Sequence, residues 1–268
     1  MSENWSREEA HIRHERMVSA LQYTIGERDR LKALISLATE KLTPTNASVI
    51  KQALQLIPLT PSERFQDLFA FLLTNCKEAG YFVEFGACDG VAASNTLILE
   101  KHFGWTGILA EPAPVWHEGL RKNRDGAIDK RCVSSVSGEI LLLHQSISPK
   151  VSSLYRDHVY LGEVEETVPV PTVSLADLLS EHHAPSYIDF LSVDCEGHER
   201  EALRTFDFGK YKFGFICVEQ HESISLESNV KDILDGAGYR ILYPRDTDLT
   251  RPPHMQITGI DLFYVPKL

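Results

Sequence analysis

At positions 81–90 the chain reads Tyr81-Phe82-Val83-Glu84-Phe85-Gly86-Ala87-Cys88-Asp89-Gly90, and Ser94-Asn95-Thr96 follows shortly afterwards. The first five residues favour a β-strand, and the glycine-spaced residues after them favour a tight turn. From Ser94 onward the apolar residues recur at helical spacing. A strand, a turn and a helix in this order form the first unit of an open α/β sheet. The turn then lies at the carboxyl end of the strand, where such sheets bind ligands.

The chemistry of this turn indicates what kind of ligand it would accept. Its glycines have the spacing G-x-x-x-G, whereas a dinucleotide fingerprint has G-x-G-x-x-G and presents a helix N-terminus to pyrophosphate. The turn instead carries Glu84 and Asp89, and carboxylates repel phosphate. They suit a cationic ligand that has an amino group and hydroxyls, and S-adenosylmethionine (SAM) is such a ligand.

A further carboxylate supports a nucleoside ligand. Residues 106–111 form the next predicted strand, which ends at Glu111, about 20 residues beyond Gly90. In nucleoside-binding α/β folds a carboxylate at this distance accepts hydrogen bonds from ribose hydroxyls. An ordinary βα turn with acidic capping residues would explain the turn alone, but the turn together with Glu111 favours nucleoside binding.

Composition limits the classes of partner. The chain has 268 residues and a formal net charge of −11, which argues against a surface for nucleic acid or anionic membranes. No apolar run approaches the length of a membrane span. The five cysteines show no C-x-x-C spacing, which favours reduced, buried thiols rather than zinc ligands. We therefore expect a soluble, cytoplasmic protein.

The first 58 residues differ from the rest of the chain and predict a separate helical arm. Apolar residues from Val18 to Leu42 recur at helical spacing among many charges, with an interruption near Gly26. A second short helix is predicted through about residues 50–57. We predict that the arm pairs with another subunit and produces a homo-oligomer. Packing on its own domain is the alternative.

Residues 59–268 predict one α/β domain. A capping box at positions 60–63 predicts the start of a helix that stops at Gly80, and strands then alternate with helices. The third strand is predicted near residues 131–136. Residues 140–172, rich in serine and proline, predict an irregular functional insertion or lid.

Two strands near the C-terminus, residues 240–243 and 260–265, predict an antiparallel hairpin at one edge, because no crossover helix fits between them. The predicted fold is therefore the class I methyltransferase pattern. It has a Rossmann-like, mostly parallel sheet with an antiparallel C-terminal hairpin, preceded by the helical arm.

Residues 81–125 and 185–222 resemble the FkbM family of SAM-dependent methyltransferases. Cys195 departs mildly from the pattern, since the family often has an aliphatic residue there. Residues 1–58 lie outside the resemblance. The matching stretches are residues 82–90, 94–96, 104–112, 170–175 and 191–199.

The resemblance implies SAM as the methyl donor and, usually, O-methylation. The acceptor would be a hydroxyl on a small molecule or glycan, such as a sugar or a polyketide. Asn95 would lie at the helix start, and Glu111 would hold the ribose. The remaining cofactor residues would be Glu84, Gly86, Asp89 and Gly90 in the methionine-side turn, with Ser135 and Val136 beside the adenine.

An alcohol acceptor must lose its proton, which requires a general base. The candidates at the predicted strand ends are Asp194, His198 and His221. The usual pKa of a histidine suits His221 to this role at neutral pH, although it could equally be a surface loop histidine.

Carboxylates at the same strand ends could instead hold a divalent cation. Asp194 and Glu196, with Glu219 or His221, form an oxygen-rich set that suits Mg²⁺. The alternative for Glu196 is a charged first helical turn, which the helix dipole favours.

Two other functions remain open from the sequence. The first is a non-catalytic SAM- or nucleoside-binding module that acts through its helical arm. The second, a nicotinamide oxidoreductase, is disfavoured because the phosphate-binding glycine pattern is missing. Turnover of SAM distinguishes the enzyme from the binding module.

Overall fold

The computed structural model describes residues 31–41, 43, 45–158, 161–220, 230–243 and 260–267. Residues 31–41 are helical. The other helices are α1 (Ala47–Gln55), α2 (Gln66–Leu73), α3 (Leu97–Phe103), α4 (His117–Asn123), α5 (Leu175–Glu181), α6 (Glu199–Leu203) and α7 (Lys231–Gly236). The strands are β1 (Tyr81–Phe85), β2 (Thr106–Ala110), β3 (Ala127–Asp129), β4 (Cys132–Ser134), β5 (Ile140–Ser146), β6 (Val164–Ser174), β7 (Tyr187–Val193), β8 (Lys212–Gln220), β9 (Tyr239–Tyr243) and β10 (Ile260–Pro266).

The main sheet has seven strands in the order β3-β2-β1-β7-β8-β10-β9. The first five in this order are parallel, whereas β10 pairs antiparallel with both β8 and β9. The strand order reverses between β1 and β7, and the carboxyl ends of these strands form the crevice where open α/β sheets bind ligands. The predicted class I methyltransferase fold with its C-terminal hairpin is confirmed.

Helices cover both faces of this sheet, because parallel strands are apolar on both sides. Helices α5, α6 and α7 pack on one face around buried residues such as Leu178, Leu203 and Leu234. Helices α2 and α3 pack on the opposite face, around Phe69 and Leu99. Both cores hold the strand ends in fixed positions, which a binding site requires.

The region predicted as irregular, residues 140–172, contains a hairpin, and that prediction was wrong. Strands β5 and β6 pair antiparallel, and β6 also pairs with β4 in a second, three-stranded sheet. Pro169 and Pro171 misled the prediction, because proline removes a ladder hydrogen bond. Both lie where β6 pairs with β5 alone, so one side of the strand needs no donor there.

The third strand was also predicted in the wrong place. Residues 127–129 form β3 in the main sheet, whereas residues 132–134 form β4 in the second sheet. The short β3 escaped prediction because three residues cannot show a period of two.

The helix predicted from residue 60 to Gly80 begins only at Gln66 and already ends at Leu73. The backbone of Phe65 has a φ of 62°, which breaks the helical path. The Oγ of Ser62 accepts a 2.9 Å hydrogen bond from the N–H of Gln66, the first residue of the shorter helix. Residues 60–65 are thereby free to form part of the cavity wall described below.

The described part of the helical arm packs against the α/β domain. Leu34, Ala38, Ile50 and Ala53 are buried in the same apolar cluster as α2 and α3. Among the described residues no helix is long and apolar enough to cross a membrane.

Self-association through the arm stays a prediction, and its test should leave this packing intact. We expect the full chain to have the mass of an oligomer in solution, and a Val18→Glu, Leu21→Glu, Ile25→Glu variant to have the mass of a monomer. These residues continue the apolar stripe outside the described residues. Light scattering coupled to size exclusion measures both masses, and a monomeric unaltered chain would contradict the prediction.

Candidate active site

A cavity of about 350 Å³ opens at the carboxyl ends of β1, β2, β7 and β8. The strand order reverses between β1 and β7, so the cavity lies where a ligand site is expected in this topology. Its lining includes six predicted site residues, which are Gly86, Asn95, Glu111, Asp194, Glu196 and Glu219. The structure therefore brings six of the thirteen predicted site residues to one cavity.

Glu84 does not line the cavity. It stabilises the turn through hydrogen bonds to residues that follow the turn. Its buried carboxylate accepts a 2.6 Å hydrogen bond from the Asn95 N–H and bonds from the hydroxyls of Ser94 and Thr96. The Arg124 guanidinium lies 3.5 Å away. Glu84 thus ties β1 to the start of α3 and holds the turn in shape.

The glycines of the turn are required by close contacts. Gly86 has a φ of 70°, and a Cβ there would lie 2.1 Å from the backbone oxygen of Asp194. Gly90 has a φ of 77° and packs on Arg124. Asp89 accepts hydrogen bonds from two backbone N–H groups of the turn, and like Gly90 it lies outside the cavity lining.

Glu111 has the geometry of a ribose acceptor. It lines the cavity at the end of β2, and its two carboxylate oxygens accept hydrogen bonds from the N–H groups of Cys88 (2.8 Å) and Ala113 (2.7 Å). Burial raises the pKa of Glu111 to about 7. Each carboxylate oxygen has a second lone pair, so hydroxyls of a ligand can bind beside the backbone donors.

The apolar end of the cavity lies beside Glu111. Ala113, Trp116, Cys132 and Val133 line it, and these side chains suit the face of an adenine ring. Ser135 and Val136, which the resemblance placed beside the adenine, lie outside the lining. Ser135 instead accepts a 2.9 Å hydrogen bond from Arg204. The lining residues Cys132 and Val133 come three residues earlier in the chain than the predicted pair, because the third strand was predicted in the wrong place.

The opposite end of the cavity is acidic. Carboxylate oxygens of Asp194, Glu196 and Glu219 lie within 4.8 Å of one another. Loss of hydration and the neighbouring Glu219, Glu196 and Asp261 raise the pKa of Asp194 well above its usual range. Loss of hydration likewise raises the pKa of Glu219 to about 8, although a hydrogen bond with Asp194 partly opposes this shift.

A wall beside the acidic end comes from both ends of the chain. Arg64 and Gln66 line it from the segment before α2, and Asp261 lines it from β10. The Arg64 Nε lies 3.4 Å from Asp261 Oδ2, and Gln66 Nε2 donates a 3.0 Å hydrogen bond to Asp261 Oδ1. Sequence motifs missed these residues, although an aspartate in the apolar run Ile260-Asp261-Leu262-Phe263 was a detectable signal.

A short segment after β5 covers the cavity. Its residues Pro149, Lys150, Val151, Ser152 and Leu154 line the cavity. The Ser153 hydroxyl donates a 2.7 Å hydrogen bond to the backbone oxygen of Glu196, which ties the cover to the end of β7. The lid function predicted for residues 140–172 stays a prediction. Within that range, the segment after β5 is the part that would act as the lid.

Two of the three predicted base candidates are described. Asp194 lines the cavity, whereas His198 lies outside it, with its ring nitrogens 3.1 Å from the hydroxyls of Tyr155 and Ser134. Burial lowers the pKa of His198 to about 4, so the ring is neutral at physiological pH. His221 lies outside the described residues.

Comparison with known proteins shows which family the chain belongs to. Residues 84–241, more than half of the chain, match the family model described as "Methyltransferase FkbM domain". The chain belongs to the FkbM methyltransferase family. This confirms the resemblance predicted from the motifs, and it establishes a methyltransferase domain of a SAM-dependent family.

A comparison of this FkbM family member with curated proteins found no significant match. Solved structures that resemble it include a point mutant of MtNAS, with a TM-score of 0.37, 10% identity, and coverage of 95% of this chain and 78% of that one. The same mutant in complex with S-adenosylmethionine has a TM-score of 0.37 and 11% identity, with coverages of 93% and 78%. MtNAS in complex with MTA and tNA has a TM-score of 0.36 and 10% identity, with coverages of 92% and 76%. A likeness this weak does not bear on ligand or activity.

The FkbM match does not include the whole cavity. Glu63, Arg64, Gln66 and Asp261 line it from outside residues 84–241. The turn and Glu111 lie inside the match, whereas the wall beside the acidic end does not. The family match therefore includes the turn and Glu111 and leaves the wall to be explained by its own contacts.

Proposed function

We propose that this chain transfers a methyl group from SAM to a hydroxyl of a sugar, glycan or polyketide-type acceptor. The observation that carries the proposal is Glu111, a carboxylate held by two backbone N–H groups in the wall of a cavity at the switch point of the sheet. The cavity has an apolar end for an adenine beside Glu111 and an acidic end beyond the turn.

SAM, when bound, supplies a methyl group that its sulfonium already activates for transfer. The residues of the chain then need to align the acceptor and to remove its proton. Glu111 binds the ribose, and the turn at Gly86 and Asn95 lies between the nucleoside end and the acidic end. This order directs the reacting end of SAM toward Asp194.

Asp194 is the described group that best fits the role of proton acceptor. It lines the cavity at the end of β7, next to the turn, because the Gly86 backbone lies against the Asp194 carbonyl. Its carboxyl group shares a hydrogen bond, and therefore one proton, with Glu219, and the pair in its ionised form takes up the proton of the acceptor. His221 stays a second candidate on sequence grounds alone.

The same carboxylates also fit a divalent cation. Asp194, Glu196 and Glu219 offer hard oxygen ligands within 4.8 Å of one another, a donor set that suits Mg²⁺. A cation there would relieve the repulsion among the carboxylates and would acidify a hydroxyl bound to it. Cation binding by these residues stays a proposal.

A screen with labelled SAM tests the proposed function. The full chain is incubated with SAM carrying a labelled methyl group and with pools of sugars, glycans and polyketide-type alcohols, with and without Mg²⁺. We expect the label to move to an acceptor and S-adenosylhomocysteine (SAH) to accumulate. SAM binding without turnover in any pool would favour the non-catalytic binding module.

Glu111→Gln should weaken the binding of SAH at least tenfold, because a hydrogen bond to a charged carboxylate is worth about 1.5–3 kcal/mol. The pKa of about 7 also predicts a pH dependence. Below that pH Glu111 becomes protonated and accepts hydrogen bonds poorly. The affinity of the unaltered chain for SAH should therefore fall as the pH is lowered from 8 to 6.

Calorimetry across this pH range measures both effects. The variant should lose the part of the pH dependence that Glu111 causes, which separates Glu111 from the other carboxylates of the cavity. Equal affinities in the variant and the unaltered chain at pH 8 would remove Glu111 from the site.

A further inference from the structure

The wall of the cavity contains a buried ion pair that the proposed chemistry has not yet used. Arg64 and Asp261 have side chains only 9% and 10% exposed, and the Arg64 Nε lies 3.4 Å from Asp261 Oδ2. Gln66 fixes both partners, because its Nε2 donates to Asp261 and its Oε1 accepts a 2.8 Å hydrogen bond from the Arg64 N–H. Both side chains line the cavity.

Neighbouring contacts locate this pair at the end of the cavity beyond the turn. Ser62, in the same segment as Arg64, donates a 3.0 Å hydrogen bond to Asn95 at the start of α3. Asp261 faces Glu219 in the register of β10 and β8. Glu111 lies on the other side of the turn, at the end of β2. A ligand whose ribose is held by Glu111 therefore extends toward Arg64 and Asp261.

The charges at this end of the cavity fit a zwitterion. The amino-acid end of SAM and of SAH carries an ammonium group and a carboxylate. The ammonium suits Asp261 and the other acidic residues, but these residues would repel the carboxylate unless a cation accompanied them. A guanidinium provides five N–H donors in a planar arrangement that matches carboxylates, so it can serve Asp261 and a ligand carboxylate together.

Arg64 is the cation best placed for this role among the described lining residues. Arg131 also lines the cavity, but its guanidinium binds Asp129 and Glu181, at 2.6 Å each. Lys150 is exposed in the covering segment. Arg64 alone of the three is buried beside the acidic end.

We propose that the Arg64–Asp261 ion pair binds the amino-acid end of SAM and SAH, with Arg64 on the carboxylate and Asp261 on the ammonium. The inference rests on the proposed function, because it requires SAM in this cavity. It assigns cofactor binding to two residues that both lie outside the family match at residues 84–241.

Three ligands that share the nucleoside separate the contributions. SAH carries both charged groups, its decarboxylated analogue carries only the ammonium, and 5′-methylthioadenosine carries neither. Arg64→Ala in the full chain should weaken SAH about 10- to 100-fold, as expected for lost charged hydrogen bonds. The same variant should leave the other two ligands within about twofold.

Asp261→Asn should weaken SAH and the decarboxylated analogue but not 5′-methylthioadenosine. Arg64→Lys should recover part of the lost SAH affinity, because it restores the charge without the planar donors. Glu111→Gln is the matched control from the nucleoside side, and it should weaken all three ligands alike. Calorimetry measures every affinity without any acceptor.

The inference would be overturned by equal losses of SAH and 5′-methylthioadenosine in Arg64→Ala, since the residue would then act through the shape of the cavity. It would also be overturned by an Arg64→Ala variant that binds SAH as tightly as the unaltered chain. An unaltered chain that binds none of the three ligands would overturn the proposed function itself, so the two failures are distinguishable.

Discussion

Asp194→Asn is expected to lower the rate of methyl transfer by about 10²–10⁴-fold, the usual contribution of a positioned general base. The substitution keeps the size of the side chain and removes its ability to accept a proton. The affinity for SAH should stay within about threefold, because the nucleoside is proposed to be held by Glu111 and the turn. The rate is measured with the acceptor that the labelled screen identifies.

Two parallel measurements decide how Asp194 acts. If it holds a divalent cation with Glu196 and Glu219, a chelator should abolish activity in the unaltered chain and added Mg²⁺ should restore it. If it takes the proton directly, the chelator should have no effect. His221→Ala tests the other base, and a loss as large as that of Asp194→Asn would assign the proton to both residues acting together.

His198→Gln is the matched control for these variants. His198 follows the same strand as Asp194, but its ring is held by Tyr155 and Ser134 outside the cavity. We expect its rate to stay within about threefold of that of the unaltered chain, well below the loss from a missing base. A full-sized loss in His198→Gln, with normal activity in Asp194→Asn, would contradict the assignment.

Gly86→Ala is expected to have the largest effect on the fold of the site. The new Cβ would lie 2.1 Å from the backbone oxygen of Asp194, and the residue would keep a φ of 70°. A left-handed conformation costs a residue with a side chain about 1–2 kcal/mol, and the overlap with a backbone atom adds to this. We expect a loss of about 3–5 kcal/mol in the free energy of unfolding, together with loss of SAH binding.

Gly104→Ala separates the strain of the backbone from the overlap. Gly104 has a φ of 66°, but a Cβ there would have no atom within 4 Å. Its cost should therefore be the conformational part alone, about 1–2 kcal/mol, with SAH binding unchanged. Urea denaturation measures both variants, and equal losses would show that the contact between Gly86 and Asp194 is unimportant.

The fold was predictable because its signals are local. Composition and spacing within a few residues were enough to predict three elements. These are the strand that ends at Phe85, the strand Tyr187–Val193 and the antiparallel hairpin at the C-terminus. Where the signal was short or ambiguous, prediction failed. The three-residue β3 was missed, and β6 was missed because its prolines argue against a strand.

The position of the glycine turn and of Glu111 was predictable for the same reason. Gly86, Asn95 and Glu111 follow their strands directly, and parallel strands bring their carboxyl ends to one edge. Sequence spacing alone could not show that the carboxylates of Glu84 and Asp89 accept hydrogen bonds from backbone N–H groups near the turn and do not face the cavity. That depends on where the N–H groups of the turn point after folding.

Only the tertiary structure could bring Arg64 and Asp261 together. They lie on either side of the family match at residues 84–241, and they meet because β10 pairs with β8 and the segment before α2 contacts Asp261. The raised pKa values of Asp194 and Glu219 have the same origin, since burial and the proximity of other carboxylates cause them. Local composition determines which strands and turns form, whereas long-range packing determines which charges meet in the cavity, because no sequence period relates residues on different strands.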